Sequence, residues 1–416
     1  MKNVERMRAS DISNLGWQRL KRELKSARGG LLSAGCLILV SVAYFDNVRG
    51  PLLPVISTEL GIPYSYAGLF LALGNFAAVL SILLLGKILE RKNDRIVTVS
   101  ACLLAMIPGF MAPWIASTFG LLLMGSILGS CVAILGALSN ILTIKGAPLH
   151  LRGRILSGQQ VMYGVGSFLA PFAFTQTMQR QLAWWTVLLI ASAIFFSLAL
   201  VFRRTIPADP PQATPNPTEK AQSKTAPKNY VAILAILAFG FYVGGEVLAS
   251  MWMTTYMVKQ LAMSPEHAAS YVGGFFIILA GSRFLSFVLV RPRFETHVII
   301  FCVLSGITAL LIAQDGHAWA FALVGLLGPF YPLFMAEISR SFAETWRRLT
   351  IWVFVAIQTT LGLIHITVGH ITDWIGIRQA FFISPALLLA CLCCLLLFLK
   401  YRPREEMNLI TEEVSL

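Results

Sequence analysis

The stretch Tyr44-Phe45-Asp46-Asn47-Val48-Arg49-Gly50-Pro51 places a carboxylate and a guanidinium inside the first long apolar run of the chain. A charged side chain at the centre of a membrane helix costs about 2.5 to 3.5 kcal/mol, so Asp46 and Arg49 must face protein or water rather than lipid. Their i, i+3 spacing puts both on one helix face, where pairing offsets part of that cost. Gly50-Pro51 is expected to bend or end the helix, which a membrane tolerates where the freed backbone lines a cavity. The pair reads either as the start of a solute pathway or as a structural bridge to a neighbouring helix. A second acid favours the pathway: Glu246, in Tyr242-Val243-Gly244-Gly245-Glu246, lies almost as deep in a later apolar run.

The surroundings of that stretch set the class. Of 416 residues, 56% are hydrophobic and only 13% charged, and the mean hydropathy is +0.72, which is the composition of a polytopic membrane protein. The net charge of +13 does not indicate a nucleic-acid partner, because the basic residues are spread over short loops rather than gathered on one face. Cys36, Cys102, Cys131, Cys302, Cys391, Cys393 and Cys394 all fall in apolar runs without the spacing of a metal site, so no metal or cofactor is expected. Residues 1–30 form a basic N-terminal segment, read as retained because the apolar run after it is too long for a signal peptide. Ser10 or Asp11 could cap a helix through Trp17, Leu20 and Leu24, lying on an anionic membrane surface or left as a solvated tail.

Twelve apolar segments can be marked, near 31–57, 66–87, 97–116, 119–143, 156–176, 183–202, 230–258, 268–290, 297–313, 318–341, 350–371 and 377–400. Residues 203–229, rich in Pro, Thr, Gln and Lys, cannot bury a core and read as a flexible linker between bundles at 31–202 and 230–400, with a tail at 401–416. About 28 of the 33 Lys and Arg fall at the termini, in the linker or in the alternate loops on the same side. Both termini and the linker are therefore expected to be cytoplasmic. The halves correspond at an offset of about two hundred residues: Asp46 matches Glu246, and Arg152-Gly153-Arg154 matches Trp346-Arg347-Arg348.

The loop Gly86-Lys87-Ile88-Leu89-Glu90-Arg91-Lys92-Asn93-Asp94-Arg95 resembles the signature between the second and third helices of the major facilitator superfamily, with Glu90 where Asp is usual and Asn93 where Gly is usual. The resemblance implies an all-α membrane protein of twelve transmembrane helices in two pseudo-symmetric six-helix bundles, the major facilitator fold. It also implies a conformational latch at Gly86, Glu90 and Arg91, with Arg152 and Arg347 in the corresponding basic loops. Within the superfamily the chain resembles the fucose permease group of sugar:proton symporters, at Asp46, at Tyr242-Val243-Gly244-Gly245-Glu246 with Trp252 and Tyr256, at Gly281-Ser282-Arg283-Phe284-Leu285, and at Ser139-Asn140 with Arg154 to Gln159. That group usually carries an acid one turn before the Asn, and Gly136 stands there, so coupling is expected to rest on Asp46 and Glu246 or to be absent.

A proton-coupled carrier needs a desolvated carboxylate that can load on one side and release on the other. Asp46 and Glu246 qualify by depth, with Arg49 and Arg283 as charge partners that leave them when solute or conformation changes. The contrary reading is two permanent ion bridges. A sugar site needs planar polar groups and an aromatic face, and the candidates are Asn75, Asn140, Gln159, Gln160, Tyr163, Tyr242, Trp252 and Gln358. Trp252, six residues beyond Glu246, is expected at the rim; His365 and His370, five apart, share no helix face. The glycines of the fourth and fifth segments permit tight helix crossing. No ATP-binding loop, metalloprotease motif or nucleophile elbow occurs, so an enzyme is not expected. The expected function is secondary transport of a small polar, sugar-like solute with protons. The alternatives are an exporter or uniporter of an organic ion, metabolite or drug, and a non-transporting sensor or scaffold. The expected partners are the solute, protons and the lipid bilayer; the expected state is a monomer in a bacterial inner membrane.

Overall fold

The computed structural model describes residues 28–89, 91–148, 152–207, 229–290, 294–342 and 346–402. The proposed N-terminal surface helix, most of the 203–229 linker, Glu90 and the acidic tail from Glu405 lie outside the described residues. Every element is helical: α1 Gly29–Asn47, α2 Arg49–Glu59, α3 Tyr64–Leu89, α4 Asp94–Leu104, α5 Ile107–Met111, α6 Thr118–Gly146, α7 Arg152–Gln179, α8 Thr186–Thr205, α9 Asn229–Gln260, α10 Pro265–Leu289, α11 Glu295–Gln314, α12 Ala320–Leu323, α13 Phe330–Ser341, α14 Trp346–Ile375, α15 Ile377–Phe381 and α16 Ile383–Tyr401. Short 3-10 turns at Ala112–Trp114 and Val324–Leu327 extend α5 and α12.

These helices form because membrane lipid offers no partners for backbone N–H and C=O groups, so an apolar chain must satisfy them internally. Among the described residues, eleven spans are long and apolar enough to cross a bilayer, the first being Gly29–Glu59, which joins α1 to α2. The twelfth is α7, whose 28 residues are long enough but carry Gln159, Gln160 and Tyr163, polar groups that lower its apolarity. Those groups do not face lipid alone, since α7 packs between α1 and α10. Two loop-proximal starts are capped as their sequences dictate: the Asn93 side chain accepts from the Ile96 N–H at 2.9 Å, and Ser117 from the Gly120 N–H at 3.2 Å.

The expected break at Gly50-Pro51 falls slightly earlier. The helix is interrupted at Val48 and resumes as α2, which runs through Gly50, Pro51 and Pro54 to Glu59. A proline lacks the N–H that would reach back four residues and its ring crowds that carbonyl. Pro51 therefore disturbs the helix at Asn47, beside the two charges, rather than at its own position.

The first six spans pack as one bundle and the last six as another, meeting along three seams: α3 on α14, α7 on α10, and α2 on α9. Glycines set the closeness of these seams. A Cβ on Gly50 would lie 3.0 Å from Met251, one on Gly369 2.6 Å from the Tyr64 carbonyl oxygen, and one on Gly164 2.9 Å from the Ala280 Cβ. Contact runs from the end holding Tyr64, Glu266 and Asp373 as far inward as Phe76 against Gly362. Towards the other end the packing is open at four glycines: Gly86, Gly136, Gly158 and Gly281 have no neighbour within 4 Å of where a Cβ would sit. Among the described residues, the ion pairs at this open end run within one bundle. Lys145 holds Asp94 at 2.5 Å in the first, and Arg340 and Arg402 hold Glu337 in the second, with Arg340 also on Glu295.

The packing predicts a contrast between two glycines of the first bundle. A side chain at Gly129 would fall on the backbone of Gly74 where α6 crosses α3, whereas Gly86 meets nothing. Gly129→Val is expected to destabilise the purified protein by about 1 to 3 kcal/mol, read as a lower Tm by intrinsic fluorescence. Gly86→Ala is expected to leave Tm unchanged or raise it slightly, because alanine is the better helix former.

Candidate functional site

The break at Val48 turns Asp46 and Arg49 towards the interior of the bundle. The Arg49 guanidinium pairs with Asp46 Oδ1, and its Nε donates to the Asp46 carbonyl oxygen at 2.9 Å. That carbonyl sits within the turn that Pro51 disrupts. The other side of the guanidinium lies against α3 at Gly74, where a Cβ would stand 3.3 Å from Nη1. The glycine thus makes room for the charge. Both groups are largely shielded, with side chains 8% and 18% exposed for Arg49 and Asp46.

The second oxygen of Asp46 is held from another helix. Tyr163 of α7 donates its hydroxyl to Asp46 Oδ2 at 3.1 Å and accepts from Asn47 Nδ2 at 3.3 Å. Asn47 also donates to Ser167 Oγ at 3.0 Å and to the Ala43 carbonyl at 2.9 Å. Asp46 is therefore clamped between a guanidinium and a phenol, and each carboxylate oxygen has a donor.

The second bundle supplies a looser counterpart. Glu246 of α9 faces Arg283 of α10 at 3.7 Å, beyond ordinary hydrogen-bond length, while Arg283 Nε donates to the Gly328 carbonyl at 3.0 Å. Tyr242, one turn before Glu246, is fully buried, stacks on Phe330 with centroids 4.0 Å apart and donates to the Leu327 carbonyl at 3.3 Å. The two clusters lie on helices that pack across the seam, α7 with Tyr163 against α10 with Arg283. Gly164, next to Tyr163, meets α10 at Ala280, one turn before Arg283. Two acids and two bases give the centre no formal net charge, so it offers hydrogen-bond donors and acceptors without the field that would favour a free ion.

The other candidates distribute unevenly. Asn75 is buried on α3 and Gln358 is half-buried on α14, while Asn140 and Gln160 are exposed. Gln159 is 1% exposed and donates to Ser139 Oγ at 2.5 Å, within a knot that also ties Ser139 to the Gly35 carbonyl at 3.0 Å. It knits α7 to α6 and α1, and its Oε1 has no partner. Trp252 stands at no open rim. It is fully buried in the closed seam, donating its indole N–H to His365 Nδ1 at 3.0 Å. Of the latch residues, Arg91 is exposed on a turn and Gly86 faces open space; Arg152 and Arg347 open α7 and α14.

Asn47, Ser167 and the Trp252–His365 pair escaped the sequence reading. Ser167 was findable, since it lies four residues after Tyr163 and shares its helix face. The pairing of Trp252 with His365 joins helices 113 residues apart in sequence, and no local pattern signals it.

A sequence model of the Major Facilitator Superfamily matches residues 35–347. The fold is similar to that of the nucleoside transporter NupG, with a TM-score of 0.69 at 14% identity over 89% of this chain and 99% of that one. It is also similar to a D-xylose-proton symporter, with a TM-score of 0.68 at 14% identity over 90% and 98%. A third similar structure is a bacterial homolog of the human lysosomal transporter Spinster, inward-facing and unoccupied, with a TM-score of 0.64 at 17% identity over 91% and 99%. No curated protein matches the chain by sequence.

The clamp on Asp46 yields a stability prediction. Removing one partner of a buried ion pair strands the other, at a cost of about 3 to 5 kcal/mol, whereas removing both charges is much milder. Arg49→Met is expected to lower Tm markedly in detergent, and Asp46→Asn in the same chain is expected to restore most of the loss. Two independent, additive losses would show that the residues do not act as a pair.

Proposed function

The chain belongs to the major facilitator superfamily and is a multi-pass membrane transporter, and on that premise we propose that it moves a small, neutral, polyhydroxylated solute together with protons. The observation that carries this reading is the placing of two ion pairs, one in each bundle, on helices that pack across the seam along which the bundles separate. A neutral polar solute can exchange hydrogen bonds with Asp46, Tyr163, Asn47, Glu246 and Arg283 without importing a charge that the centre would have to neutralise. An anion or cation would have to break one of the pairs and leave its partner stranded at a high desolvation cost. Drug-like apolar cargo would leave these polar groups unsatisfied.

The asymmetry between the pairs suggests an order of events. Asp46 has both oxygens engaged, so it stays ionised until Arg49 and Tyr163 move. Glu246 meets Arg283 at 3.7 Å while Arg283 spends its Nε on Gly328. Glu246 is thus the carboxylate that can accept a proton without dismantling its surroundings, and Asp46 follows when solute takes the Tyr163 hydroxyl. With both termini in the cytoplasm of a bacterium and the protein monomeric in its inner membrane, the sealed end faces outward. The conformation described is then the one open to the cytoplasm, from which solute leaves.

Flux into proteoliposomes loaded with a pH-sensitive dye tests the reading, with panels of sugars, nucleosides, amino acids and organic acids. One class of neutral polyhydroxylated solute is expected to carry protons inward with it. Asp46→Asn and Glu246→Gln are each expected to weaken that coupling about 5- to 150-fold while solute exchange persists. Movement of organic ions or amphipathic compounds alone, or of solute without protons, would replace this account with an exporter or a uniporter.

A further inference from the structure

The sealed end of the molecule is held by a contact that belongs to neither ion pair. Asp373, near the C-terminus of α14 in the second bundle, accepts hydrogen bonds from the first two backbone N–H groups of α3 in the first bundle, Tyr64 N and Ser65 N, both at 2.7 Å. The first N–H groups of a helix have no partner within it and carry the positive end of its dipole. A carboxylate that receives two of them is therefore a helix cap, and this cap is supplied by the opposite bundle.

Everything around Asp373 centres on the same residue of α3. The Tyr64 ring lies beside Trp252, with centroids 6.4 Å apart, and under the Lys259 ammonium at 5.6 Å, both from α9. Trp252 is in turn held by His365 of α14. The backbones of α3 and α14 come together at two glycines, Gly68 against His365 and Gly369 against Tyr64. The second bundle thus forms a socket, and the start of α3 is the plug. The rest of the seam is poorly satisfied: Ser57 Oγ, Tyr64 Oη and Thr254 Oγ1, on α2, α3 and α9, are buried with no hydrogen-bond partner. Opening this end to water would hydrate all three. Closure therefore leans on the few polar contacts that cross it, and among the described residues only Asp373 joins a full charge to a helix terminus.

We propose that Asp373 is the latch of the sealed end, a cap on α3 that forms and breaks once per transport cycle and sets how long the seam between α2, α3, α9 and α14 stays shut. Its consequence for flux rests on the carrier reading above, but its test reads conformation alone and so stands or falls separately.

Ser250 lies in this seam, 6% exposed and against Gly50, so a Ser250→Cys sulfhydryl reports opening. The probe is a membrane-impermeant maleimide added from the Asp373 side of proteoliposomes, with the otherwise unaltered chain as control for the native cysteines. Asp373→Ala is expected to raise the labelling rate about tenfold, as loss of a charged cap would. Asp373→Asn, which keeps one neutral acceptor, is expected to raise it less, and Asp315→Ala, an exposed acid at the same end, not at all. Because the contact is exposed, molar salt screens it: salt is expected to speed labelling when Asp373 is present and to have little effect in Asp373→Ala. An unchanged rate in Asp373→Ala, an equal rise in Asp315→Ala, or a salt effect indifferent to residue 373 would each overturn the proposal. Should Asp373→Ala fail to fold, the salt response of the chain with Asp373 intact, compared with that of Asp373→Asn, decides it.

Discussion

A charge inside a bilayer must find a partner, and the Asp46–Arg49 pair shows how much of a fold that one requirement organises. The pair occurs at the break between α1 and α2 at Val48, where the Asp46 carbonyl accepts from Arg49 Nε. It requires a glycine at position 74, because α3 must pass close to the guanidinium. It requires a donor from α7 for the second carboxylate oxygen, which Tyr163 provides. Three helices of the first bundle are thereby fixed around one ion pair. Of the polar residues on α7, Tyr163 meets this demand, and Ser167 below it meets Asn47.

The two bundles differ in how tightly they hold their charges, and that difference gives the molecule a direction of response. The first bundle closes a complete shell around Asp46, whereas the second leaves Glu246 at a distance from Arg283. A carrier that cycles between two closures needs parts that are stable enough to define each state and loose enough to exchange partners. The loosely paired Glu246, the glycine contacts of the seams and the partnerless hydroxyls of Ser57, Tyr64 and Thr254 lie where the two bundles meet. The charge clusters at the open end, by contrast, run within one bundle among the described residues, where they can hold each bundle rigid as it rocks.

Much of this architecture is legible in sequence because membrane insertion imposes long-range regularity on local composition. All twelve apolar segments correspond to helices within a few residues, eleven of them apolar enough to span a bilayer, and the two buried acids and both of their arginine partners are found as ion pairs. What sequence conceals is tertiary choice. Gln159 and Trp252 have the right chemistry and depth for a solute site, but packing commits Gln159 to a knot among α1, α6 and α7 and Trp252 to the seam beneath Tyr64. Asp373 reads as an ordinary acid at a helix end, and only the approach of α14 to α3 makes it a cap. Val48 rather than Gly50 bears the break because a proline acts on the carbonyl four residues before it, which a reading of the Gly-Pro pair alone places too late.

The central claim is that a cavity between two rocking bundles takes a neutral polar solute and is exposed to one side at a time. Counterflow tests it most directly. Proteoliposomes are loaded with a high concentration of unlabelled solute, diluted into a trace of the same solute in labelled form, and followed without any ion gradient. The account predicts that for one class of polyhydroxylated solute the label rises transiently above its external concentration before falling, because the loaded carrier returns faster than the empty one. Entry of label only to its equilibrium level, whatever is loaded inside, or no entry of any neutral polar solute, would contradict it.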